Sequence, residues 1–160
     1  MTEFMCQPHK RHHKLFGLIP CSTDHPDIVE IDGRLLHFDF QDRRILEASG
    51  NQFVEIATLE RSWPDHIENL NGLIQFPGHI LAIRKTLFGL KAHVENRTTA
   101  SVVKWKFPWI SDRLHIEGIG SFESPVRTKV IGRCGDGTRE ICLVIAAVWL
   151  IHRIASEPVG

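Results

Sequence analysis

The densest concentration of metal-ligating side chains lies within the first 25 residues, where Cys6, His9, His12, His13, Cys21 and His25 include one Cys-x2-His and one Cys-x3-His pair. Thiolate and imidazole together satisfy tetrahedral zinc, a borderline-soft d10 cation. Cys6, His9, Cys21 and His25 are the residues that would close such a site, although their order differs from that of a zinc finger. The plainer reading of the same stretch is a solvated histidine-rich arm, and no metal or other cofactor is expected.

Interleaved with these histidines are Lys10, Arg11 and Lys14, and a second group of cations, Arg84, Lys85 and Lys91, stands in the other half of the chain. Near an anionic surface each Lys or Arg is worth about 1 kcal/mol, so three are marginal and six together give measurable, salt-sensitive attraction. These six are the candidate lipid-contacting residues.

Catalytic signatures are weaker still. There is no Gly-x-Ser-x-Gly and no recognisable setting for a nucleophilic cysteine. Asp24-His25 and Asp65-His66 are adjacent pairs whose side chains need not face one another. Gly132 to Thr138 precedes a helix as a phosphate loop does, but lacks the Lys-Ser/Thr ending and reads as a hairpin-to-helix turn. Trp105 and Trp109, flanking Lys106-Phe107-Pro108, form either an exposed aromatic tip or a pair buried under a loop. No catalytic residue is assigned, and the protein is expected not to be an enzyme.

The elements that hold these side chains must be built from 160 residues, one domain's worth, of which 42% are hydrophobic and 24% charged. Such a chain buries roughly 70% of its unfolded surface, and its composition excludes wholesale disorder, collagen and coiled coil. Lys+Arg and Asp+Glu both number 19, giving zero net charge. That balance argues against nucleic acid as a partner and requires any charge-driven partner to be met by a local patch. Four scattered cysteines and no apolar leader point to a reducing interior, cytoplasmic or peripheral to a membrane.

Residues 1–27 read as a flexible basic arm. From Ile28 short alternations broken by turn residues begin, with Asp32-Gly33 and Gly50-Asn51 marking two hairpins. Residues 62–78, rich in Pro, Gly, Asn and Asp, read as a loop with one helical turn at 65–70. Alternation resumes over 79–84, 90–95, 101–107, 113–119 and 126–131, which brings the count to nine strands; the hairpin from Leu90 to Phe107 turns at Asn96-Arg97-Thr98. A helix over 139–154 follows, with Asp136 or Thr138 as its N-cap, and 155–160 is a tail.

Inside that helix Ile141 to Ile151 are eleven consecutive apolar residues. A membrane span needs about 17 to 25. A shorter helix that is apolar on every face must be buried on every face, and a sandwich would cover only one stripe of it. The arrangement that buries it all is an antiparallel closed β-barrel wrapped around the hydrophobic C-terminal α-helix.

Here the residues resemble a known family. FQDRRILEASGNQFVEI at 40–56 is similar to the repeating strand, D-x-x-G-x, strand unit of the LURP-one-related and tubby C-terminal-like superfamily. Gly137-Thr138-Arg139-Glu140 with Ile141 to Ile154 resembles its final hydrophobic helix, and Leu87-Phe88-Gly89-Leu90-Lys91 and His115-Ile116-Glu117-Gly118 lie where such proteins repeat similar strands. The resemblance covers residues 28–154 and implies a barrel of twelve strands, three more than the nine counted. The family helix usually opens with a Gly-x-Asp step, where Arg139 and Glu140 stand here. The phosphoinositide-binding basic residues of tubby members do not align to named positions, so no site is carried over.

Together these readings imply a non-enzymatic binding or regulatory module that engages anionic membrane lipids such as phosphoinositides, or a protein partner. The alternative is a small-ligand-binding or enzymatic barrel with an internal pocket.

Overall fold

The computed structural model describes residues 2–15, 19–60, 71–87, 89–108, 111–126 and 128–155; for 2, 9–15, 19–27 and 155 it describes the backbone. The chain forms twelve strands and then one helix: β1 (Thr2–Leu15), β2 (Ile19–Ile31), β3 (Arg34–Asp39), β4 (Arg44–Ser49), β5 (Gln52–Leu59), β6 (Gly72–Phe76), β7 (His79–Thr86), β8 (Gly89–Asn96), β9 (Val102–Lys106), β10 (Arg113–Ile116), β11 (Gly120–Val126), β12 (Lys129–Cys134) and α1 (Arg139–Ala155). All pairings are antiparallel, in the order β10-β11-β12-β1-β2-β3-β4-β5-β6-β7-β8-β9, so the sheet curls into a nearly closed barrel with β9 and β10 at its two edges.

The helix fills the barrel because its sequence leaves no polar face to give to water. Ile141 to Leu150 are each no more than 3% exposed, and they meet the inward rows of the strands, among them Phe38, Leu36, Ile45, Ile74 and Leu81. At 17 residues the helix is about 25 Å long, which matches the height of a barrel of short strands. No helix among the described residues is long and apolar enough to cross a membrane.

Thr138 takes the N-cap position: its carbonyl accepts the Cys142 N–H at 2.9 Å. Its hydroxyl donates to the Ile119 carbonyl at 2.8 Å, tying the helix start to the β10–β11 turn. Asp136, the other expected cap, lies exposed in the preceding turn. Two glycines let the barrel wall approach closely: a Cβ at Gly120 would come within 2.5 Å of the Arg133 carbonyl oxygen, and one at Gly132 would land on the Phe4 ring.

Three strands correct the sequence reading. The arm expected over residues 1–27 is part of the barrel at its start: Thr2 to Cys6 pair with β12, and Phe4 and Cys6 are buried in the core. Beyond Pro8, β1 and β2 pair only with each other among the described residues, forming a hairpin that projects past the end of the barrel where α1 finishes. β6 arises inside the expected loop, where Ile74 and Phe76 alternate inward between Gly72 and the Pro77-Gly78 turn; the helical turn expected at 65–70 lies outside the described residues. β11 follows a turn at Glu117-Gly118-Ile119, with Gly118 at φ 77°, where an unbroken strand to 119 was expected.

Candidate anion-binding face

β6 to β9 form the part of the wall where cations gather. Register places Arg84 opposite Lys91 and Lys91 opposite Lys106, while His93 stands opposite Lys104 one row away. Because cross-strand partners share a face, these side chains all point outward, and the intervening row of Ile83, Ala92 and Trp105 points into the barrel. Arg84, Lys91, Lys104 and Lys106 line a concavity of about 770 Å³ together with Leu73 and His93. None of the four cations makes an ion pair among the described residues. The one carboxylate on the same outer face of these strands, Glu95, lies a row beyond His93, opposite Val102. Four unneutralised cations within two strand rows create a positive potential that the zero net charge of the chain conceals.

A second outer concavity, about 580 Å³, is lined by Arg113, His115, Ser121, Glu123 and Arg133 on β10 to β12. Its cations are spoken for: Arg133 Nε donates to Glu3 at 2.8 Å, and Arg113 lies 3.9 Å from Glu123. His115 Nδ1 and Ser121 Oγ are 2.8 Å apart, but no carboxylate hydrogen-bonds to this imidazole among the described residues. The pair lacks the orienting acid of a triad.

Of the six cations named from the sequence, Arg84 and Lys91 are brought together on one face. Lys85 falls on the opposite side of the same strand, opposite Leu90, at the barrel mouth. There burial first, and then the Lys85 charge, hold the His152 imidazole below its usual pKa. Lys10, Arg11 and Lys14 sit on the projecting β1–β2 hairpin, and their side chains lie outside the described residues. Lys104 and Lys106 were missed. Their signal was the alternation Val102-Val103-Lys104-Trp105-Lys106, legible only once the register of β9 on β8 is known.

The metal reading loses its first ligand. Cys6 is wholly enclosed in the core, opposite Ile31 and Val130, and burial, followed by Asp32, drives its thiol pKa far up. Its sulfur is enclosed among the apolar side chains of the core, whereas the backbone positions of His9, Cys21 and His25 stand on the projecting β1–β2 hairpin. The side chains of His9, Cys21 and His25 lie outside the described residues, and among the described residues no group of three or more His, Cys, Asp or Glu could hold a metal ion. Trp105 does not form an exposed tip: half-buried, it packs edge-on against Phe107 with ring centroids 6.0 Å apart. Trp109, Asp65 and His66 lie outside the described residues. Comparison of the chain with family models, with curated proteins and with solved structures gives no match.

Proposed function

We propose that the protein is a non-enzymatic binding module that engages anionic membrane lipids, phosphoinositides among them, through the outer face of β7 to β9. The observation that carries this reading is the registered row Arg84–Lys91–Lys106 with Lys104 beside it, unpaired among the described residues while the cations of the neighbouring concavity are paired. At about 1 kcal/mol per cation near an anionic surface, four acting together reach measurable affinity. The tubby C-terminal-like relationship is supported by the count of twelve strands around one C-terminal helix, the architecture that the sequence resemblance implies. The alternative, an internal small-ligand or enzymatic site, is disfavoured by an axis already filled with Trp149, Leu143 and Ile145. Cosedimentation with phosphoinositide-containing vesicles tests the proposal. Binding at low ionic strength that weakens at physiological salt is the expected result; no binding at low ionic strength overturns it and leaves a protein partner as the better reading.

A further inference from the structure

We infer that the protein meets an anionic bilayer with the end of the barrel at which the helix finishes, and that Leu87, just past the end of β7, enters the interfacial layer. The inference rests on the lipid reading above and specifies the docking surface and its orientation. Leu87 is 89% exposed, more than any other large apolar side chain among the described residues. It lies just beyond the last registered pair of the hairpin, Thr86 with Gly89, where the Thr86 hydroxyl donates to the Gly89 carbonyl at 2.9 Å. Thr86 and Gly89 are therefore tied together beside an apolar side chain left in water.

Cations surround Leu87 on both sides of the hairpin. Arg84 and Lys91 stand on its outer face and Lys85 on the other, and no Asp or Glu occurs between Glu68 and Glu95 in the sequence. Arg84 is three residues from Leu87, about 10 Å along a strand. Leu87 lodged about 5 to 10 Å below the headgroups sets Arg84, Lys91 and Lys106 level with the lipid phosphates, their aliphatic stems crossing the interface. The same end repeats the combination at the β11–β12 turn, where Val126, 51% exposed, pairs with Lys129. The β1–β2 hairpin that carries Lys10, Arg11 and Lys14 projects from this end too. Carboxylates stand at both ends: Glu55 adjoins the exposed Phe53 and Val54 at the opposite one, and Asp39 and Asp42 lie at the β3–β4 turn of this one, where both are paired with Arg44.

The test is partitioning of the full chain onto phosphatidylcholine vesicles containing phosphatidylserine, beside titration with soluble inositol hexakisphosphate. Leu87→Asp is expected to lower vesicle partitioning about tenfold or more at physiological salt and to leave binding of the soluble anion unchanged. Leu87→Trp is expected to raise partitioning, since indole favours the interface. If Leu87→Asp partitions like the parent protein, insertion of Leu87 is wrong while the basic face stands. If the parent protein does not bind these vesicles even at low salt, the inference and the lipid reading fall together.

Discussion

Arg139, in the first turn of α1, grips Glu47 of β4 with both arms of its guanidinium, Nη1 donating to Oε2 at 2.9 Å and Nη2 to Oε1 at 2.5 Å. Arg34 of β3 reaches the same carboxylate at 2.8 Å. Glu47 stands opposite Leu36 in the register and so faces into the mouth of the barrel. The helix start is thereby clamped to the wall by a planar, bidentate pair, the strongest geometry available to arginine and carboxylate.

The clamp makes stability depend on acid. The Arg139 hydrogen bonds outweigh burial and, with the charges of Arg139 and Arg34, hold the Glu47 carboxyl below the usual carboxylate range. A depressed carboxyl contributes stability that is fully present above the unfolded value, about 4.3, and is lost as pH falls through the lower folded value. Glu47→Gln should therefore cost about 1.5 to 3 kcal/mol at pH 7. Chemical denaturation of both proteins should show the gap holding down to pH 5 and closing at more acidic pH.

Two glycines mark where the wall has no room. Gly120→Ala drives a Cβ against the backbone carbonyl of Arg133 and the Cys142 sulfur, and overpacking of this kind costs about 1 to 3 kcal/mol. Gly132→Ala collides with the Phe4 ring instead. Because that neighbour is a side chain, Phe4→Leu should recover part of the loss, and a double-mutant cycle from thermal melts should show non-additivity between the two sites.

The helix is the core, so removing it removes the fold. A chain ending at Gly137 should be insoluble or should lack a cooperative melt. Ala146→Arg, which places an unpaired charge at a position 0% exposed, should do the same in the full-length chain. A soluble, cooperatively melting truncation would show the helix to be dispensable.

Cys6 should behave as an inert thiol. In the native protein it should resist alkylation by iodoacetamide, and in denaturant it should label at once, with mass spectrometry assigning the site. Rapid native labelling at Cys6 would place its sulfur outside the core. Metal analysis of protein purified without a histidine tag should find clearly less than one zinc per chain.

The barrel and its axial helix were legible because eleven consecutive apolar residues permit few kinds of burial. The three missed strands were hidden by composition. Phe4 and Cys6 alternate inward amid a histidine-rich run, Ile74 and Phe76 lie among Pro, Gly and Asn, and the Gly118 turn was read as strand interior. The cationic face was only half legible for a reason of register. A turn centred on Arg97 would set Lys91 opposite Val103, whereas the loop runs to Ser101, with Asn96 accepting the Thr98 and Thr99 N–H groups. That loop sets Lys91 opposite Lys106. An odd shift in register exchanges the two faces of a strand, and with them the identity of the cations that act together.

The central claim is that these cations form one binding face, and it is tested most directly by replacing Arg84, Lys91 and Lys106 together with alanine and measuring vesicle binding across a range of salt. All three side chains are exposed, so the fold should persist, as an unchanged melting transition would verify. At about 1 kcal/mol for each cation, the triple variant should bind phosphoinositide-containing vesicles roughly a hundredfold more weakly at low ionic strength and should lose most of the salt dependence of the parent protein. Binding of unchanged strength and unchanged salt dependence in the folded triple variant would contradict the account.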